Sequence, residues 1–72
     1  MELQEILELL EEVMDIEEGL LAPESELAEV DEWDSLSKLA LMAEVKKRVN
    51  RRLSTEEILS FKTVQDIIDY LQ

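Results

Sequence analysis

The sequence predicts an all-α protein, a small bundle of helices. Leu, Glu, Ala and Lys, which favour helices, dominate the 72 residues, and there is only one Gly and one Pro to form hairpin turns. Apolar residues recur mostly at helical spacing rather than in alternation. This length suits one domain, residues 1–72, close to the lower limit for a self-sufficient hydrophobic core.

The first predicted helix spans roughly Glu2 to Asp15. Its apolar residues recur every three or four positions, which places them on one face of the helix. The residues expected on this face are Leu3, Ile6, Leu7, Leu10, Val13 and Met14. A long loop, residues 16–34, follows, in which Gly19 and Pro23 oppose continuation of the helix. We expect this loop to pack onto the helices and to form a turn of helix after Ser25.

The second predicted helix spans about Ser35 to Val49, and Asn50 can end it. The apolar residues expected to share one broad face are Leu36, Leu39, Met42, Val45 and Val49. Basic residues fill the last turns of this helix, where cations complement the helix dipole.

Two further helices are predicted from their first turns. Ser54 and Glu57 have the spacing of a capping box, which predicts a short third helix. Thr63 and Asp66 repeat that spacing at the start of a fourth helix. The residues of the fourth helix expected to face inward are Val64, Ile67, Ile68 and Leu71.

The charge is divided unequally along the chain. Residues 1–37 contain 14 acidic and no basic residues, residues 38–72 contain 5 acidic and 7 basic residues, and the net charge is −12. Such a field repels nucleic acid and anionic membranes and favours a partner with a basic face. No apolar run approaches the roughly 20 residues that cross a bilayer, and M-E-L-Q-E lacks the basic region of a signal peptide. We therefore expect a cytoplasmic monomer that binds neither nucleic acid nor membranes.

The available side chains argue against an enzyme. Because the chain has no His and no Cys, it has no thiol nucleophile, no Ser/His pair and no ligands for a structural zinc ion. A single Gly excludes a glycine-rich phosphate loop. The acidic residues from Asp31 to Asp34 lack the spacing of a calcium-binding hand. We expect no catalytic residue and no metal site.

One serine lies in a distinctive position, within E-W-D-S-L-S-K at residues 32–38. A serine at the start of a helix is ordinarily its N-cap. Asp34 can do the same job, and the Ser35 hydroxyl would then face solvent in the first turn. A phosphate carried there would meet the positive end of the helix dipole. The motif alone is compatible with a Ser35 that caps the helix and with a Ser35 that carries a covalently attached group.

The chain resembles an acyl carrier protein over essentially all 72 residues. D-S-L at 34–36 looks like the attachment motif of that family at the start of helix II, and W-D-S-L is a form found in the broader phosphopantetheine-binding family. The segment E-E-I-L-S-F-K-T-V-Q-D-I-I-D-Y-L is similar to the family's helix III–IV region. The resemblance implies a four-helix bundle of three main helices and a short helix III, with a long loop between helices I and II.

The resemblance also implies a site and a cofactor. Ser35 would carry a covalent 4′-phosphopantetheine, Asp34 would orient the transferase that attaches it, and Leu36 would be an apolar contact beside the arm. The chain would hold acyl groups as thioesters on the arm and would be a substrate rather than a catalyst. The implied partners are a phosphopantetheinyl transferase and an acyl-activating ligase, ketosynthase or acyltransferase of fatty acid, polyketide or related specialised biosynthesis.

Two features depart from the usual pattern of fatty-acid-type carriers. Trp33 precedes D-S-L where a small residue is usual, and the second helix is not strongly acidic. That helix carries Lys38, Lys46, Lys47 and Arg48, with Glu44 as its only carboxylate after Asp34. These departures favour a standalone carrier of a specialised pathway over the housekeeping fatty-acid carrier.

Two alternatives stay open. An aminoacyl or peptidyl carrier of nonribosomal synthesis shares W-D-S-L, so this motif does not separate it from an acyl carrier. A non-carrier acidic helical module would have the same helices, with Ser35 serving only as a cap.

We expect the folded state to be more stable in salt. The net charge of −12 produces self-repulsion, which dissolved ions screen. The melting temperature should therefore rise between low and moderate NaCl, as measured by circular dichroism. A melting temperature that falls over this range would contradict the prediction.

Overall fold

The computed structural model describes all 72 residues and contains four α-helices. They are α1 (Leu3–Met14), α2 (Ser35–Val49), α3 (Thr55–Ser60) and α4 (Val64–Leu71). A 3-10 turn, Leu27–Glu29, lies inside the long loop, as expected after Ser25. The predicted all-α class, with three main helices, one short helix and a long first loop, is confirmed. None of the helices has the length and apolar character needed to cross a membrane.

A single hydrophobic core lies between the helices, and α1 packs against both α2 and α4. Every helix contributes to this core, and so do the long loop and the segment before α3. The buried apolar residues are Ile6, Leu9, Leu10, Met14, Leu21, Leu27, Leu41, Val45, Leu53, Ile58, Val64, Ile67, Ile68 and Leu71. The inward face predicted for α4 is confirmed in full.

The buried face of α1 differs from the predicted one. Leu9 is fully buried although it was not expected on this face, and Leu3 is exposed although it was. Leu7 and Val13 are only partly buried against the core. The buried residues Ile6, Leu9, Leu10 and Met14 keep helical spacing, so the buried stripe is rotated from the predicted one towards Leu9, on the side where α1 contacts α2 and α4.

The face of α2 was predicted wrongly. Leu36 and Leu39 were expected inside, but they are 78% and 61% exposed, while Leu41 is completely buried. Val45 is buried as predicted, and Met42 is partly buried. Apolar residues occur on several sides of this helix, so their spacing alone does not determine which side packs inward.

Backbone hydrogen bonds fix the long loop to the start of α4. The donors and acceptors are Leu27 N–H to Lys62 O at 2.9 Å, Val64 N–H to Ser25 O at 3.0 Å and Gln65 N–H to Pro23 O at 2.8 Å. Two loop leucines, Leu21 and Leu27, are buried in the core beside these bonds. The loop is therefore packed onto the helices, as the sequence predicted.

Local side-chain bonds set the ends of the later helices. Both predicted capping boxes are present, with Ser54 and Glu57 at α3 and Thr63 and Asp66 at α4. Asn50 ends α2 in the left-handed conformation, with a φ of 54°. Asparagine tolerates this conformation better than most residues because its short side-chain amide can form hydrogen bonds to nearby groups.

The N-cap of α2 is Asp34. Its Oδ1 accepts a hydrogen bond from the Ser37 backbone N–H at 2.9 Å. This bond is the main cause that holds the pKa of the Asp34 carboxyl below its ordinary value. The Ser35 hydroxyl makes no hydrogen bond within the protein and is not the cap.

Two leucines of α2 provide a matched test of which face is buried. We expect Leu41→Ala to reduce the free energy of unfolding by about 2–5 kcal/mol, because it leaves a cavity in the core. Leu39→Ala, on the same helix, should change it by less than about 1 kcal/mol because that side chain is mostly exposed. Urea denaturation followed by circular dichroism measures both. Similar losses in the two variants would contradict the observed packing.

Replacing each candidate cap of α2 tests the N-cap assignment. Asp34→Ala should lower the melting temperature at pH 7, whereas Ser35→Ala should leave it unchanged. Since folding lowers the pKa of Asp34, its stabilising contribution is present above the ordinary value of 3.8 and is lost as the pH falls through the lowered pKa. The difference between the wild type and Asp34→Ala should therefore shrink towards pH 2. A difference that persists undiminished in acid would contradict a role for the ionised carboxylate.

Candidate functional site

Ser35 is the first residue of α2, and its side chain faces solvent. Asp34 before it supplies the cap, so the Ser35 hydroxyl has no structural task. Leu36 after it is one of the most exposed large apolar side chains of the protein. The three residues that the sequence singled out thus lie together at the start of α2, with Ser35 between a capping carboxylate and an exposed leucine.

Ser37 secures this arrangement, although it was not predicted to belong to the site. It is the only buried polar residue, at 5% exposure, and its Oγ donates a 2.5 Å hydrogen bond to the Glu32 carbonyl oxygen. Its backbone N–H also donates to Asp34. The available signal was its place at the third helical position after Asp34, where a capping side chain finds its N–H donor. Ser37 therefore joins the end of the loop to the first turn of α2.

An open groove of about 250 Å³ begins at Ser35 and lies between α2 and α3. Its lining residues are Ser35, Lys38, Leu39, Met42, Thr55, Ile58 and Leu59. The exposed leucines Leu39 and Leu59 are on this lining, so they surround the groove rather than close the core. The hydroxyl of Ser35 consequently stands at one end of a largely apolar surface depression.

Lys38 is the basic residue in that groove. Its Nζ lies 5.7 Å from the centroid of the Trp33 ring, and the side chain is half-buried. A cation at this distance from an aromatic ring is attracted to its face. Ser35 and Lys38 are one turn apart on α2, so an anionic group on Ser35 would meet both the lysine and the positive end of the helix.

The site presents the exposed Ser35 hydroxyl but no base well suited to remove its proton. Asp34 is its carboxylate neighbour, and the hydrogen bond from Ser37 lowers the pKa of Asp34. A base of lowered pKa that already accepts a backbone bond is poorly suited to remove a proton from a hydroxyl. The geometry thus leaves the Ser35 hydroxyl exposed and free of hydrogen bonds to the rest of the chain.

Comparison with known proteins agrees with this geometry. A family model described as "Phosphopantetheine attachment site" matches residues 4–71. The meromycolate extension acyl carrier proteins of Mycobacterium leprae, Mycobacterium bovis and Mycobacterium tuberculosis are each 28% identical to the chain over 67 residues. Those residues are 93% of this chain but 58% of each relative, so the chain spans less than two thirds of their length. No solved structure gave a significant match.

The family match extends over nearly the whole chain and includes the segment from Asp34 to Leu36. The chain also has the four helices and the long first loop that the resemblance implied. From this agreement we conclude that the chain belongs to the phosphopantetheine-attachment family, a family of non-catalytic carriers with covalently bound 4′-phosphopantetheine.

Proposed function

We propose that residues 1–72 form one acyl carrier domain and that Ser35 is the attachment point of its 4′-phosphopantetheine. The observation that supports this proposal is the exposed hydroxyl of Ser35, which is free of structural bonds because Asp34 caps α2. The first turn of α2 and Lys38 supply positive potential for the phosphodiester. When bound, the cofactor supplies a terminal thiol, which this cysteine-free chain lacks.

The attachment is a phosphoryl-type transfer onto Ser35. The Ser35 Oγ attacks the pantetheine-bearing phosphorus of coenzyme A, a new O–P ester bond forms, and the P–O bond of the pyrophosphate breaks. Adenosine 3′,5′-bisphosphate leaves, and the serine proton passes to a base. In this proposal the transferase supplies that base, because the Asp34 carboxylate beside Ser35 accepts the Ser37 backbone N–H.

Asp34 and Leu36, on either side of Ser35, contact the partner proteins in this proposal. Asp34 holds the first turn of α2 in place and presents a carboxylate to a basic group of the transferase. Leu36, 78% exposed, gives partner enzymes an apolar contact beside the arm. Because α2 is poor in carboxylates, partner enzymes contact it through their apolar residues more than through their basic residues.

The cargo is an acyl group, in fatty acid, polyketide or related specialised biosynthesis. The names of the relatives, acyl carrier proteins of meromycolate extension, support acyl-chain extension over aminoacyl or peptidyl transfer. The partners in this proposal are a phosphopantetheinyl transferase and an acyl-activating ligase, ketosynthase or acyltransferase, all in the cytoplasm. Membership of the carrier family counts against a non-carrier module.

Two serines of the same motif provide a matched test of the attachment point. The protein is incubated with coenzyme A, Mg²⁺ and a broad-specificity phosphopantetheinyl transferase, and its intact mass is measured. We expect the wild type to gain one phosphopantetheine and Ser35→Ala to gain none.

Ser37→Ala is the control. It should remain a substrate but lose about 1–2 kcal/mol of stability, because the Glu32 carbonyl loses its partly buried hydrogen bond. Modification of folded Ser35→Ala, or none in the folded wild type, would overturn the assignment of Ser35.

A further inference from the structure

A second groove adjoins the one that begins at Ser35. It has a volume of about 540 Å³ and is lined by Met42, Ala43, Lys46, Arg52 and Leu53. Met42 belongs to the lining of both grooves. Met42 therefore borders both depressions, which lie along α2 from its start towards its C-terminal end.

The spacing of the lining residues along α2 shows that they follow one side of the helix. Ser35, Leu39, Met42 and Lys46 recur at intervals of four, three and four residues. Such positions lie one above the other on an α-helix. From Ser35 to Lys46 the helix rises about 16 Å, which an extended phosphopantetheine arm can span.

The far end of this surface is positively charged, with Lys46 and Arg52 on its lining. Neither forms an ion pair, since both ion pairs of the protein belong to Arg48. The Lys46 ammonium donates to the neutral Oδ1 of Asn50 at 3.2 Å and keeps its charge uncompensated. Both cations that line this end of the groove are thus free to pair with the carboxylate of a ligand.

The neighbouring basic residues are not equivalent to this pair. Arg51 donates to the Tyr70 carbonyl oxygen at 2.7 Å and lies 4.4 Å from the Tyr70 ring centroid, so it is bound to α4. Lys47 is exposed on α2 but does not line either groove. Lys46 and Arg52 are thus the basic residues that face the space at this end of the surface.

We propose that Lys46 and Arg52 form a binding site for the carboxylate of a short acidic acyl group carried on the arm at Ser35. This inference rests on the proposed attachment at Ser35. Leu39 and Met42 provide an apolar path for the arm, and the two cations lie where a short cargo would emerge from it. The site favours acyl groups that end in a carboxylate over neutral acyl groups and over positively charged aminoacyl groups.

Covalent attachment allows such an exposed site to be occupied. Ion pairs at a protein surface are individually weak, because water and salt screen them. A tethered ligand, however, has an effective concentration of about 1 mM or more near its site. An intrinsic dissociation constant of about 1 mM therefore suffices to hold a substantial fraction of the cargo on the groove.

The ionisation of the cargo tests the site directly. The apoprotein is loaded from ¹³C-malonyl-coenzyme A by the transferase, loading is confirmed by intact mass, and the carboxyl carbon is titrated by NMR. Three variants, Lys46→Gln, Arg52→Gln and Lys47→Gln, each remove one positive charge. We expect the first two to raise the pKa of the malonyl carboxyl more than the third does, because only Lys46 and Arg52 contact it.

A neutral cargo of the same shape provides the second comparison. The isovaleryl group has the branching of a malonyl carboxylate without its charge. Malonyl loading should shift the Met42 methyl and the Lys46 and Arg52 amide signals away from their positions in the isovaleryl form. This difference should diminish in high salt and in Lys46→Gln.

The outcomes separate the two proposals. Absence of the mass gain in the wild type would overturn attachment at Ser35 and with it this site. Normal loading with equal pKa changes in the three variants would overturn the carboxylate site alone, since a general field of the protein would explain them. Identical spectra of the malonyl and isovaleryl forms would overturn it as well.

Discussion

The hydrogen bond from the Ser37 backbone N–H to Asp34 Oδ1 is the constraint on which the site depends. Together with the bond between the Ser37 hydroxyl and the Glu32 carbonyl oxygen, it marks where the loop stops and where α2 starts. The rotation of α2 places Ser37 inside, with Leu41 buried one turn later. With these two residues inside, Ser35 and its leucine neighbour must face outward.

The loop that delivers Asp34 to its position is itself held from the other end of the chain. Its backbone pairs with residues 62–65 at the start of α4, and Leu27 beside these bonds is buried. Ordering a loop of this length costs conformational entropy, which these hydrogen bonds and the buried leucine offset. Main-chain bonds thus join the loop that leads to Asp34 to the N-terminus of α4, which is distant in sequence.

Features that depend on residues within one helical turn could be predicted from the sequence. Features that depend on contacts between distant parts of the chain could not. Ser54 with Glu57 revealed a helix start because both partners of the capping box lie within one turn. The outward position of Leu39 and the burial of Leu41 depend instead on how α2 packs against α1, which spacing along one helix does not contain. Ser37 was missed for the same reason: its burial comes from contact with the loop.

The exposed leucines around Ser35 have a consequence for the protein at high concentration. Leu36, Leu39 and Leu59 are each more than half exposed, and apolar surface of this kind promotes contact between copies. The net charge of −12 opposes such contact, because molecules of like charge repel before their leucines can meet. The acidic residues whose mutual repulsion destabilises the folded chain therefore also keep separate copies from associating. Added salt therefore has opposite effects on folding and on aggregation. It stabilises the folded chain, but it weakens the repulsion that keeps copies apart.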